Sequence, residues 1–599
     1  MSDSEHQPET TAVHHHDGAA RRQWMTVLGL GILSLILGTF GFMQVPEPEG
    51  HPEGLVDAFY NSMRLFHMHF DHVPGPLPWE LQIARFLAPV IFGVSLFKGF
   101  LFAARSHQQS LKHQSQSGHV VICGLGQKGL QLARQCVKQK DKKWVIVIEK
   151  NPHNELLSIC DEEGIYYLIG DATEAAVLKA ARAEFAKEVI IVTPEDETNL
   201  RIALQVRDLN KTSQLHSPEC FVHLENIHLR ERLQREFTKQ SGQATGGRLN
   251  FFDVYDDEAR RLLQELPLDG DGITQDDPRT VHVVIMGFGR MGRSLALRAA
   301  KMGHFANGRK LRISVIDRQA DHHRQHLLFH YPILESDTIC ELRCYQATAQ
   351  SLVALKLIEG WIAEPDTILR FFVCLDSNAS AVEVGLRLQE ILMDRSDAKL
   401  CVRIKSQKTL EGVLNAVSKK DNDIIPFGMV ENACCESAFR HEYHEATARS
   451  LHEGYCRGMA ELRASGQVIA PRPAEVPWEE LREEFKESNR QAADHIAIKA
   501  RALGYQIGKL KEATAGAIPI RTLTREQKRI LAPMEHARWC AERWLGGWVH
   551  DDKRDDDRHR HPDLLPWARL PDTERRIDHA QIEQLAEALA AEGLGIFPQ

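Results

Sequence analysis

The sequence predicts a membrane-embedded helical portion, two tandem α/β Rossmann-type modules, and a mainly α-helical carboxyl-terminal domain. Three observations carry this. A glycine turn between strand-like runs occurs twice, at Gly124-Leu125-Gly126-Gln127-Lys128-Gly129 and at Gly287-Phe288-Gly289-Arg290-Met291-Gly292. Two long apolar stretches lie ahead of the first turn, and a tryptophan-rich tail lies behind the second.

Composition bounds the reading. A chain of 599 residues holds about three or four domains. Its 43% hydrophobic content is that of a mainly globular protein. A formal net charge of -9 argues against nucleic acid as a partner. The 12 cysteines form no CxxC pair, and the adjacent Cys434 and Cys435 read as thiols, which places the carboxyl-terminal part in a reducing compartment.

Residues 1–20 are polar and are expected to form a disordered tail; residues 21–117 form the membrane portion. Trp24 to Met43 make 20 residues without a charge, enough to cross a hydrocarbon core of roughly 30 Å. A second stretch, Phe86 to Ala104, is interrupted by Lys98, which can snorkel. Arg21, Arg22, Lys98, Arg105 and Lys112 flank the spans, whereas residues 44–84 are rich in Asp and Glu. Both termini are therefore expected on the cytoplasmic side of the plasma (inner) membrane, with lipid as a partner of this multi-pass portion. Between the spans, Gly54 to Phe70 reads as a short amphipathic helix.

Two spans with a half-helix between them, ahead of a nucleotide-binding module, resemble a two-transmembrane potassium-channel subunit. That resemblance implies a homo-tetramer around a central pore and an inorganic ion as cargo. The family's filter is a TVGYG-like run; here Leu65-Phe66-His67-Met68-His69-Phe70-Asp71 stands in its place. A less selective pore lined by His69, Phe70, Asp71 and His72 and a non-conducting anchor are both open.

The first module, residues 118–250, reads strand, glycine turn, helix, strand, acidic residue. Val120 to Ile122 lead into the turn, and Val145 to Ile148 end on Glu149. This order suits a mononucleotide-binding half, with glycines admitting a pyrophosphate to a helix N-terminus and Glu149 facing a ribose diol. Further strands run from Tyr166, Val189 and Phe221. The module resembles the TrkA-type (TrkA-N) RCK domain. The resemblance implies a site for NAD(H), ATP or ADP at Gly124, Gly126, Gly129, Glu149, Asp171 and Thr193.

The second module, residues 251–425, repeats the pattern with Gly287, Gly289, Gly292 and Asp317 as its candidate ligand residues. Gln346 replaces the acid found at Asp171. A second nucleotide site and a non-binding interface module are both open. Acidic residues at 149 and 317 favour a free ribose diol over a 2′-phosphate.

Residues 426–599 change composition after Pro426. Their runs, above all His536, Arg538 and Trp539 with Glu542, Gly547 and Trp548, resemble the ryanodine-receptor repeat (RyR) domain, which implies a regulatory or binding module. Arg490, Arg538, Trp539, Glu542, Arg543 and Trp548 are its candidate ligand residues: arginines to pair an anion and tryptophans to stack on a ring. The His/Asp-rich patch from His550 to His561 lacks regular ligand spacing, so no metal is expected.

Together these readings give a ligand-gated, cation-conducting channel subunit with a non-standard filter, gated by nucleotide on an RCK ring and modulated by the RyR domain. The alternative is a membrane-anchored nucleotide-sensing regulator without a pore. An enzyme is not expected, because no acid/base group stands out near a nicotinamide position.

Overall fold

Two glycines decide how the first helices meet. The computed structural model describes residues 13–14, 18–45, 54–70, 77–96, 117–138, 144–211, 218–240, 249–395, 397–405, 424–428, 445–466, 471–510, 520 and 522–598. These fall into two units, residues 1–189 with 208–218, and residues 190–207 with 219–599. In the first unit, helix Gly18–Met43 packs on helix Leu55–Leu65. A Cβ at Gly38 would stand 2.2 Å from Ser62 Oγ, and one at Gly41 would stand 2.8 Å from the Leu81 backbone nitrogen. Small residues that bring helix backbones together are a packing device of membrane bundles. Ser62 Oγ donates to the Leu35 carbonyl at 3.1 Å. Phe42, Ala58, Leu65, Leu81, Ala84 and Ala88 form the small core between these helices.

The outward faces are apolar. Leu28, Ile36, Phe86 and Val90 are each at least 60% exposed. Among the described residues helix Trp79–Leu96 is long and apolar enough to cross a membrane, and Val27–Met43 is a shorter apolar segment. The second span therefore begins seven residues before the expected Phe86, since 86 − 79 = 7; residues 97–104 lie outside the described residues. The sequence reading started after Arg85 because a charge interrupts the apolar run. In the structure Arg85 lies against the rings of Phe70 and Phe86, at 5.9 and 4.9 Å from their centroids. Of the 20 residues expected to form a disordered tail, Val13–His14 pair antiparallel with Tyr167–Leu168 and Gly18 opens the first helix.

Parallel strands follow in the same unit. Val145–Glu149 lies between Val120–Cys123 and Tyr166–Ile169, with Val120 opposite Val145 and Ile146 opposite Tyr166. The first two are Val/Ile-rich and almost wholly buried, as a parallel sheet covered on both faces requires.

The second unit holds strands Glu219–His223 and Leu249–Phe252, which pair in parallel. The expected module boundary at 250/251 thus falls inside a strand. A six-stranded sheet follows in the order Cys340–Gln346, Leu311–Asp317, Thr280–Met286, Thr367–Val373, Lys399–Arg403, Ile425–Phe427. In chain order this is 3-2-1-4-5-6, the doubly wound arrangement whose ligand crevice lies where the order reverses. The last strand crosses the expected boundary at 425/426. Pro426 reads as a break, but at a sheet edge its missing N–H leaves no ladder bond unmade.

The tail is built on helices Glu445–Ala464, Glu483–Asp494, Ile496–Ala502, Arg525–Leu545 and Asp572–Glu583, with strand Tyr505–Lys509 antiparallel to Leu594–Pro598. One apolar core runs from helix Arg290–Met302 of the second module, through Leu295, into the tail at Leu451 and Leu531. Asp494 accepts hydrogen bonds from Arg260 at 3.0 Å and Gln264 at 2.8 Å, and Asp269 accepts from Arg501 at 2.7 Å.

Candidate functional site

Each glycine turn is locked to the acidic residue 25 or 30 positions later in the chain, counting Gly124 to Glu149 and Gly287 to Asp317. In the first module Gly124 has φ +106°, a left-handed value that favours glycine. Its N–H donates to the Ile148 carbonyl at 2.9 Å. Glu149 accepts from the Leu125 N–H at 2.9 Å through Oε2 and from the Asn151 N–H at 2.8 Å through Oε1. Asn154 Nδ2 donates to the Leu125 carbonyl at 2.8 Å. A Cβ at Gly126 would meet nothing within 4 Å, so open space lies beside the turn at the start of helix Gln127–Lys138. Gly129 is buried in that helix. A carboxylate has lone pairs beyond the two bonds made here, so Glu149 remains able to accept from a diol.

Asp171 stands at the end of the next strand. Its Oδ1 accepts from the backbone N–H and hydroxyl of Thr173 at 2.9 and 2.7 Å, and Lys150 Nζ lies 2.7 Å from its Oδ2. The Lys150 ammonium first, then the Thr173 bonds, bring this carboxyl down to about 2. Gly124, Gly126, Gly129, Glu149 and Asp171 therefore share one unit. Thr193 belongs to the other, where its N–H and hydroxyl both donate to Asn199 Oδ1, at 2.9 and 2.6 Å. Its hydroxyl is committed to that internal bond, which the sequence reading did not foresee.

The second module reproduces the lock. Gly287 has φ +98° and donates to the Ile316 carbonyl at 2.9 Å. Asp317 accepts from Phe288 N–H at 2.8 Å and Gln319 N–H at 2.7 Å. A Cβ at Gly289 would again meet nothing within 4 Å, whereas one at Gly292 would stand 2.2 Å from the Gly287 carbonyl oxygen. The middle glycine leaves ligand space, and the last allows the helix to pack. Arg290, on the turn, forms a two-pronged ion pair with Glu225 at 2.8 Å.

Of the pore candidates, Asp71 and His72 lie outside the described residues. His69 is exposed, and Phe70 packs against Phe42 with ring centroids 6.2 Å apart. No group of three or more His, Cys, Asp or Glu among the described residues is placed to hold a metal ion.

The tail residues divide between two cavities. Arg538, Trp539, Arg543 and Trp548 line one of about 130 Å³ within the carboxyl-terminal domain. Arg490, Glu542, Arg543 and Trp548 line a second of about 170 Å³, where that domain meets Arg260 and Arg298. Several of these charges are internally satisfied. Arg490 pairs with Glu445 and Glu483 at 2.8 and 2.6 Å, and Arg538 with Glu535 and Glu542 at 2.7 and 2.9 Å. Sequence reasoning missed Lys150 and Asn154 beside the first turn, and Arg472, Arg554, His561 and Asp563 in the tail cavity. Asn154 is legible in the Asn151-Pro152-His153-Asn154 turn; the others have no shared spacing.

The fold and turns define a chain with two Rossmann-type modules. More particularly, residues 120–235 match the TrkA-N domain and residues 517–597 the RyR domain, so the chain carries both. An uncharacterized protein of Methanothermus fervidus is 35% identical over 99 residues, 16% of this chain and 15% of that one. A protein of Methanocaldococcus jannaschii described as "Probable potassium channel protein 2" is 28% identical over 99 residues, 16% of this chain and 29% of that one. The chain thus spans less than a third of the length of these relatives. Among solved structures, "GsuK channel bound to NAD" shows 15% identity and a TM-score of 0.38, covering 71% of this chain and 84% of that one.

Proposed function

We propose that this chain is a subunit of a ligand-gated, cation-conducting channel, gated by NAD(H) or an adenine nucleotide at the TrkA-N turn and modulated by the RyR domain. The observation that carries it is the first glycine turn: Gly126 borders open space at a helix start, beside an acid anchored to the turn backbone. That is where a pyrophosphate and its ribose would lie. The apolar outward faces of helices Gly18–Met43 and Trp79–Leu96 support insertion in the plasma (inner) membrane. The relative named as a potassium channel supports the transport reading. The subunits assemble as a homo-tetramer with both termini cytoplasmic, and a ligand that prefers one ring geometry pulls on the membrane helices. No chemical step is assigned to the nucleotide.

Flux through proteoliposomes under NAD, NADH, ADP and ATP tests this. Conductance that responds to nucleotide in the wild type and not in Gly126→Val supports gating. A second reading, a membrane-anchored nucleotide sensor without a pore, is favoured by Phe70, which packs onto Phe42. Nucleotide binding by an intact tetramer with no conductance under any ligand would select it.

A further inference from the structure

The tail cavity contains a buried cation with one distant counter-ion. Arg543 has a side chain only 7% exposed, and its nearest carboxylate oxygen, on Glu542, is 4.0 Å away. Its side chain makes no hydrogen bond with the described residues, and it lines both cavities. Its guanidinium stands instead 5.2, 5.9 and 4.9 Å from the ring centroids of Phe485, Trp539 and Trp548. Cation–π contacts recover part of the cost of burying a charge and leave its N–H groups available to an acceptor in the cavity.

The other cations of the cavity are already matched. Arg472 donates to Glu574 at 2.6 Å, Arg554 to Asp556 at 2.7 Å, and Arg538 to the Glu535 and Glu542 carboxylates. His561 also lines the cavity, its ring 5.0 Å from that of Trp539. Burial, then Arg554, Arg543 and Arg472, push it down to about 3. Arg472, Arg538, Arg543 and Arg554 outnumber Asp563, Glu574 and Asp578 among the charged residues that line the cavity.

From this arrangement we infer that the RyR-domain cavity is a binding site for a small aromatic anion, its flat ring against Trp539 and its acidic group on Arg543. The volume of about 130 Å³ holds one ring of a fused pair, since an engineered cavity of about 150 Å³ takes benzene, and the second ring reaches toward the adjoining space. The adjoining 170 Å³ space, which shares Arg543 and Trp548, takes the substituent. The acidic group can be the phosphate of a nucleoside monophosphate or the carboxylate of an aromatic acid. This inference does not depend on a pore or on a ligand at the glycine turn.

The test is calorimetric titration of the full-length protein in detergent with AMP, indole-3-acetate and inorganic phosphate, repeated in Gly126→Val. At least one ring-bearing anion should bind saturably, inorganic phosphate at least tenfold more weakly, and Arg543→Met should weaken the ring-bearing anion at least tenfold. Trp539→Leu, at a half-buried position on the same wall, should do the same, and it decides the matter if Arg543→Met does not fold. AMP alone binding identifies a phosphate-bearing ligand; indole-3-acetate alone identifies a carboxylate. The inference is overturned if no ring-bearing probe binds at 10 mM, if phosphate binds as well as they do, or if binding is lost in Gly126→Val yet unchanged in both tail variants.

Discussion

Replacing Gly126 with valine should abolish nucleotide binding and leave the fold intact. The two halves of that statement rest on different numbers. A Cβ at Gly126 meets nothing within 4 Å, and the residue is not among the glycines with positive φ, so a side chain adds no clash and no backbone strain. Removing a glycine even restricts the unfolded chain, an effect of about 0.4–1 kcal/mol in favour of folding. The isopropyl group, however, fills the space a pyrophosphate needs beside the start of helix Gln127–Lys138. Losing two charge-assisted hydrogen bonds from that helix end, at about 1.5 kcal/mol each at the low end, weakens binding by more than a hundredfold. The assay is a thermal shift: a ligand at a hundred times its Kd stabilises a folded protein by about 2.7 kcal/mol. NAD or ADP should raise the melting temperature of the wild type and not of Gly126→Val, whose own melting temperature should match the wild type within about 2 °C. Wild-type affinity in the variant would refute the placement of the ligand at this turn.

Other perturbations should act on stability. Gly292→Ala puts a Cβ 2.2 Å from the Gly287 carbonyl oxygen, so it should cost about 1–3 kcal/mol by denaturant unfolding, while Gly289→Ala, facing open space, should cost less than about 0.5. Asp494→Ala removes the buried acceptor of Arg260 and Gln264 and should destabilise the carboxyl-terminal unit by about 3–5 kcal/mol, read by urea melts. His536 has acceptors at both ring nitrogens, Asp578 at 3.1 Å and the Leu565 carbonyl at 2.8 Å. Burial works against its charge, but the Asp578 carboxylate and the Cys540 side chain together outweigh it and push the ring up to about 11. A raised folded-state value gives stability that is complete below the unfolded pKa near 6.5 and is lost as pH rises through about 11. Melting temperature should therefore fall between pH 7 and 9, with a slope of up to about 1.4 kcal/mol per pH unit that His536→Gln flattens.

What the sequence shows of this protein and what it hides divide along a physical line. Short-range signals were legible. Gly124 and Gly287 need left-handed backbone, and Glu149 and Asp317 sit at strand ends, so their pairing with the turns follows from the order of a mononucleotide-binding half. Charge and proline were misleading where the tertiary structure absorbs them. Arg85 is shielded by Phe70 and Phe86, so a helix runs through it; Pro426 sits on an edge strand, so the sheet includes it. Partners distant in sequence were invisible. Nothing near Thr193 shows that Asn199 takes its hydroxyl. In the tail, Arg472 and Glu574 are 102 positions apart, and nothing near either shows that they pair. Arg490, Arg538 and Arg543 look equivalent in the sequence, and only the count of acceptors around each separates two structural arginines from one with donors to spare.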